Sequence, residues 1–262
     1  MQNKSFEQAA FVLHTRPFKE NQQLVELLTE QQGKVSALVY VGQSKRSIKK
    51  GLLQPFLPLT ITFKNNTKFE STLKNISQVE TSAKSFSLSK NSLYSAFYIN
   101  ELLVRLLSQD IHCDSLFKHY HQTLKGLSQG LAIAPQLRQF ELCLLDELGV
   151  SLDFTPVFTE DSNNVVGFYY ITEQGFTPAY HFSVPNITTA WFDKVHLKII
   201  AEQVNVPEIK TESMIENGTE NGAKSTEVEH TFKLLMRQII NELLDGKPLN
   251  SRKLFVNKKN RK

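Results

Sequence analysis

The residues with the clearest chemical purpose are Lys45, Arg46, Lys49 and Lys50, packed into six positions between Gly42 and Gly51. From Gln31 through Phe69 the chain has no Asp or Glu, and Lys34, Lys64 and Lys68 bring the cations there to seven. A surface of one sign attracts polyanions, because each neutralised phosphate releases a condensed counterion. With Arg16 just upstream, the candidate DNA-binding set is Arg16, Lys34, Lys45, Arg46, Lys49, Lys50, Lys64 and Lys68. Such cations position a phosphate backbone without reading its sequence. Phe56, Phe63 and Phe69 share the acid-free stretch and are the candidate stacking rings, although a hydrophobic interior competes for each.

Other chemistries find no support. No GxxxxGK[ST] or GxGxxG loop presents backbone N–H groups to a nucleotide, and there is no GxSxG elbow or HExxH pair. His112-Cys113-Asp114 and His119-Tyr120-His121 fall within one helical stretch, where adjacent or alternate residues do not share a face. The two cysteines, Cys113 and Cys143, form neither a disulfide framework nor a zinc ribbon. No apolar run nears the ~18 residues of a membrane span. The amino end, MQNKSFEQAAF, lacks a signal-peptide core, so the expected compartment is the reducing cytoplasm.

These cations need elements to hold them. Short strands are expected at Ala9–His14, ending before Arg16-Pro17, at Gln23–Thr29, at Val35–Val41, at Phe56–Phe63 and at Lys68–Val79. The second of these also has a helical reading. Five strands in about 80 residues suggest a small barrel. After a Ser/Lys-rich linker at 81–90, with Asn91-Ser92 as an N-cap, apolar residues recur at helical spacing through Leu93–Leu107, Cys113–Leu127 and Leu137–Leu148, the last closed by Gly149. A hairpin at about 166–180, a helix over Ile187–Val204 containing Trp191, a polar flexible loop at about 206–230 and a helix over Thr231–Leu244 complete the plan. Charge is segmented. Residues 1–138 carry 17 Lys/Arg against 9 Asp/Glu, residues 139–229 carry 4 against 15, and residues 230–262 carry 9 against 2.

AFVLHTRPFKE at Ala10–Glu20, GQSKRSIKKGLLQPFLPL at Gly42–Leu59, LYSAFYINELLVRLL at Leu93–Leu107, LRQFELCLLDELG at Leu137–Gly149 and GKPLNSRKLF at Gly246–Phe255 together resemble the bacterial RecO family of recombination mediators. The resemblance implies an α+β chain: an N-terminal OB-fold over residues 1–80 and a mainly helical domain with a small hairpin over 81–262. It implies no enzymatic activity and no cofactor. Many members carry a four-cysteine zinc module after the equivalent of Leu148-Gly149, but Val150–Tyr180 contains no cysteine, so no metal is expected.

The resemblance further implies a DNA-repair protein of the RecF pathway. It would bind single- and double-stranded DNA, anneal complementary strands, engage the acidic, aromatic-ended tail of single-stranded-DNA-binding protein and, with RecR, promote RecA loading in functional connection with RecF. Its place would be the cytoplasm, at the nucleoid. A tail of that kind needs an apolar groove beside a cation. Arg138 with Leu137, Leu142, Leu116, Phe117 and Tyr120 is the candidate tail-binding set. Two rival classes are an OB-type RNA-binding or translation-related module without mediator activity, and an enzyme whose dispersed site is invisible in one sequence. The carboxyl end, Lys258-Lys259 and Arg261-Lys262, suits either a DNA contact or a solubilising tail.

Overall fold

A computed structural model describes residues 6–42, 48–64, 73–160, 164–180, 191–205 and 219–256. The chain divides into two compact units, residues 1–149 with 248–262, and residues 150–247.

The first unit begins with β1 (Phe6–Phe18), β2 (Gln22–Thr29) and β3 (Gly33–Tyr40), then a short α1 (Ile48–Leu52), β4 (Leu59–Phe63) and β5 (Leu73–Thr81). The strands close into a barrel in the order β1-β2-β3-β5-β4, with β3 and β5 parallel and the remaining pairs antiparallel. This is the expected OB-like barrel. Period-two alternation sends Val12, Val25, Leu27, Val35, Ala37, Val39, Leu59 and Ile61 inward as one apolar core. Burying such side chains contributes roughly 1.5–3 kcal/mol each.

β1 outruns its expected end and carries Arg16 and Pro17 in register with Leu24 and Gln23. Pro17 is tolerated because β4 pairs only with Phe6–Ala10, which leaves this part of β1 with β2 alone. A register shift between Val12 and His14 leaves Leu13 unpaired, a β-bulge. β4 starts at Leu59 rather than Phe56, whose φ of 66° interrupts an extended run.

Three helices follow: α2 (Lys90–Leu106), α3 (Asp114–Ser128) and α4 (Ile133–Glu147). Leu148 ends α4, and Gly149 takes the left-handed φ of 73° that a C-terminal cap requires. The bulge ties this layer to the barrel. Asn100 Nδ2 on α2 donates to the Leu13 carbonyl at 3.1 Å, and the Tyr120 hydroxyl on α3 donates to Asn100 Oδ1 at 2.6 Å. Beside this link Phe11 of β1 packs against Phe117 and Tyr120, with ring centroids 5.6 and 5.1 Å apart. Both thiols lie here. Cys113 is buried and Cys143 half-buried, and burial pushes them up to about 12 and about 11 respectively.

α8 (Arg252–Val256) completes the first unit. Its approach is fixed by Glu101 of α2, whose carboxylate accepts the N–H groups of Asn250 and Ser251 at 2.8 Å each. Burial pushes the Glu101 carboxyl up, but these hydrogen bonds and Arg105 outweigh it and hold it below its ordinary value.

The second unit contains α5 (Thr155–Thr159), β6 (Val165–Ile171), β7 (Gly175–Tyr180), β8 (Phe192–Asp193), α6 (Lys194–Asn205) and α7 (Thr219–Leu243). The expected hairpin, β6–β7, gains a third strand and becomes a sheet of order β7-β6-β8. Gly167 permits this, since a Cβ there would meet the Phe192 carbonyl at 2.2 Å and the Trp191 ring at 2.4 Å. Trp191 precedes the helix it was expected to join. α6 starts only at Lys194, where Asp193 Oδ1 accepts the Val195 and His196 N–H groups at 2.8 and 3.1 Å. The predicted loop at 206–230 is corrected over its second half, because α7 is already helical from Thr219; residues 206–218 lie outside the described ones.

Candidate nucleic-acid interface

The described cations of the candidate DNA-binding set separate by location. Lys49 and Lys50 occupy α1, whose formation the expected loop did not include. Lys49 Nζ donates to the Ser77 carbonyl of β5 at 3.3 Å, and the backbone N–H of Lys64 donates to Asn75 of the same strand at 2.8 Å. Lys49 and Lys64 thus flank one end of the β4–β5 ladder, and Lys50 and Lys64 are exposed. Arg16 is exposed on β1, opposite Leu24. Lys45, Arg46 and Lys68 lie outside the described residues.

Lys34 is a different case. It is only 8% exposed, and its Nζ donates to the Val104 carbonyl at 2.9 Å. Val104 lies in the last turn of α2, where carbonyls have no helical partner. The ammonium therefore caps a helix C-terminus, the end that attracts positive charge. Burial lowers the Lys34 pKa, and the nearby Glu26 opposes that shift. A charge used this way is withdrawn from the candidate DNA surface. The stacking candidates change too: Phe56 and Phe63 are 6% and 7% exposed, and Phe69 lies outside the described residues.

The candidate tail-binding set is likewise divided. Leu116, Phe117 and Tyr120 are buried, and Phe117 and Tyr120 pack against Phe11 of the barrel. On α4, Phe140 lies 6.3 Å from Tyr120, whereas Arg138, two residues earlier, points about 200° away around the helix. Arg138 Nη2 is 2.7 Å from Glu141 Oε1, an oxygen that also accepts the Tyr98 hydroxyl at 2.7 Å. Glu141 is fully buried and its Oε2 has no hydrogen-bond partner. Burial pushes Glu141 up to about 6, against the pull of Arg138, Tyr98 and Arg252. Burial, reinforced by Glu141, raises the Tyr98 hydroxyl well above a phenol's ordinary value.

Arg138 therefore keeps company with Tyr98, and with Leu142 one helical turn further along α4, rather than with the α3 residues. Tyr94, one turn before Tyr98 on α2, meets Phe255 of α8 edge-on at 5.5 Å, and Phe255 is 43% exposed. Sequence reading missed Tyr94, Tyr98 and Phe255. The i, i+4 tyrosine pair was a signal of a shared face; the contact with α8 was not readable, because it joins segments some 160 residues apart.

His119 bonds within its own helix turn, Nδ1 to the Ser115 carbonyl at 2.9 Å, while the ring of His121 lies against Phe11 and Phe86. Among the described residues no group of three or more His, Cys, Asp or Glu could hold a metal ion. No described helix is long and apolar enough to cross a membrane.

Comparison with known proteins bears on the whole arrangement. The family model for the N-terminal part of recombination protein O matches residues 1–84, and that for its C-terminal part matches residues 89–162. DNA repair protein RecO of Cellvibrio japonicus is 34% identical over 253 residues, 95% of this chain and 96% of the relative. The RecO protein of Tolumonas auensis is 47% identical over 146 residues, 55% of this chain and 59% of that protein. That of Haemophilus influenzae Rd is 41% identical over 147 residues, 56% of this chain and 61% of that protein. The barrel order, the helical layer behind it and these matches agree: the chain belongs to the RecO family of DNA repair and recombination proteins.

Proposed function

We propose that this protein is a non-enzymatic recombination mediator that binds single- and double-stranded DNA, anneals complementary strands and engages coated single strands. With RecR it promotes loading of RecA, in the RecF pathway, at the nucleoid of the cytoplasm. The observation that carries this reading is an OB-like barrel bearing Arg16, Lys49, Lys50 and Lys64 on its outside, none paired with a carboxylate among the described residues. Lys45, Arg46 and Lys68 extend the same run of charge in the sequence. Cations of this kind lower the repulsion between two phosphate backbones, which is the physical requirement for annealing.

A second surface serves the coat protein. Its acidic, aromatic-ended tail suits the Arg138 guanidinium with Tyr98, Tyr94 and Phe255 close by, a grouping of cation and rings that replaces the originally expected pocket. The buried Leu116, Phe117 and Tyr120 drop out of that site, while Leu137 and Leu142 remain half-buried on α4.

The test is direct. Replacing Lys45, Arg46, Lys49 and Lys50 together by Ala weakens binding to any DNA sequence, and the slope of log affinity against log salt falls by about 3–4 if each residue contacts a phosphate. An unchanged slope in a folded variant refutes the assignment. Strong preference for RNA without annealing of DNA places the protein instead among RNA-binding OB modules.

A further inference from the structure

One face of the barrel carries features that the phosphate-binding reading does not use. Strand register places Phe18 of β1 directly across from Gln22 of β2, and Gln22 directly across from Tyr40 of β3. Residues paired in this way point to the same side of a sheet. The neighbouring row on that side is Arg16, Leu24 and Leu38. Val25 and Val39 alternate with these rows and belong to the core, so Phe18 and Tyr40 point out of the barrel. Phe18 is 36% exposed and Tyr40 is 59% exposed.

The bulge at Leu13 sets this phase. Phe11 already faces outward, opposite Leu28, and the extra residue puts His14, Arg16 and Phe18 on the outer face as well. The face then divides in two. Its lower half is covered: Phe11 by α3, Lys34 by the end of α2, and Ser36 by Gln109. At the upper end Arg16, Phe18 and Tyr40 are exposed, and His14, in the row of Glu26 and Ser36, is exposed at the border.

Charge identifies the occupant. Arg16 is one row from the aromatics, and Lys19, in the β1–β2 turn, holds its Nζ 5.6 Å from the Phe18 ring centroid. With two intervals of strand spacing between them, the backbone positions of Phe18 and Tyr40 are about 10 Å apart. In a duplex every base face is covered by its neighbours; only an unpaired strand offers free faces to two separate rings. We propose that Phe18 and Tyr40 form a base-stacking platform for single-stranded DNA, with Arg16 and Lys19 contacting its phosphates. Stacking of this kind tolerates any sequence, because every base has a π-face. The proposal deepens the DNA-binding reading above and rests on it.

The experiment compares the full chain with the double variant Phe18→Ala/Tyr40→Ala. The probes are a fluorescent oligo(dT) strand and a duplex of equal length, each titrated across a salt series. The expected result is a loss of about 5-fold or more in affinity for oligo(dT) per ring removed. Duplex affinity and both salt slopes stay unchanged, since the lost contact is uncharged. The milder pair Phe18→Tyr/Tyr40→Phe keeps both rings and wild-type binding, which guards against a mere folding defect. Unchanged oligo(dT) affinity in the folded double-alanine variant overturns the platform. So does an equal loss on duplex and single strand. If the wild-type chain binds neither DNA, the broader reading fails; if the four-cation variant loses affinity while the ring variant does not, only the platform fails.

Discussion

At the scale of single residues, Glu141 combines complete burial with one unsatisfied oxygen. Its pKa of about 6 lies above a carboxyl's ordinary 4.5, so the folded state binds the proton more tightly than the unfolded one. Stability therefore falls as pH rises through that window, and the contribution is fully present only below about 4.5. Between pH 7 and pH 5 the gain amounts to about 1 kcal/mol. The Glu101 carboxyl, held below its ordinary value, contributes in the opposite sense, so the comparison must be with Glu141→Gln, which titrates nothing at this site. Urea melts of both proteins at pH 5, 6 and 7 should show wild-type stability rising relative to the variant as pH drops. A constant difference would mean that Glu141 is already protonated at neutral pH, or never is.

At the residue scale the sequence displays side-chain type and conceals exposure. Cations in the run 45–50 were visible as charge. That Lys34 caps α2 was not, because the carbonyl it meets comes from Val104, 70 residues later in the chain. Phe18 and Tyr40 look like core residues in a list of aromatics. Only their register in the barrel turns them outward.

At the scale of elements, the strands were legible because they alternate with period two around one core. Their ends were less so: Pro17 signalled a stop to β1 that a one-sided strand did not need. In the second unit, Asn221 and Gly222 suggested a loop, yet both lie inside α7. A glycine there costs about 1 kcal/mol of helix propensity, an amount that packing of the helix's apolar stripe exceeds.

The β2–β3 hairpin offers a sharp element-level test. Gly33 has φ of 64°, and a Cβ there would lie 1.9 Å from the Ile111 carbonyl oxygen. Both backbone strain and a collision with unyielding main chain follow. Gly33→Ala should cost about 2–4 kcal/mol, read as a lower urea midpoint at unchanged m. Gly42→Ala is the control: its φ is 75°, but a Cβ there meets nothing within 4 Å among the described residues. Its cost should be only about 1–2 kcal/mol, the penalty of the left-handed conformation. Equal losses in the two variants would mean that the contact with Ile111 yields freely.

At the scale of the whole molecule, the proposed mediator role requires DNA and coat protein to be held by different groups. The proposed DNA contacts are on the barrel, whereas Arg138 with Tyr98 belongs to the helical layer. The two activities should therefore separate on mutation. Arg138→Ala is expected to lower affinity for a synthetic acidic peptide ending in an aromatic residue by about 10-fold, the worth of one charge-assisted hydrogen bond. Affinity for naked oligo(dT), measured in parallel, should change less than about 2-fold, since Arg138 is engaged with Glu141 and is not among the proposed DNA contacts. Undiminished peptide binding would remove Arg138 from the tail site.

The two thiols have a practical corollary. Burial holds Cys113 and Cys143 so far above neutral pH that roughly one thiol in a thousand or fewer is ionised in ordinary buffers. The thiolate is the nucleophile that attacks maleimides and peroxides, so both thiols should react slowly with them in the folded chain. The native protein should therefore give a low background in fluorescent tagging, checked by exposing the folded chain to a maleimide dye, and a dye on one engineered surface cysteine could then follow the proposed strand pairing without deleting either natural cysteine.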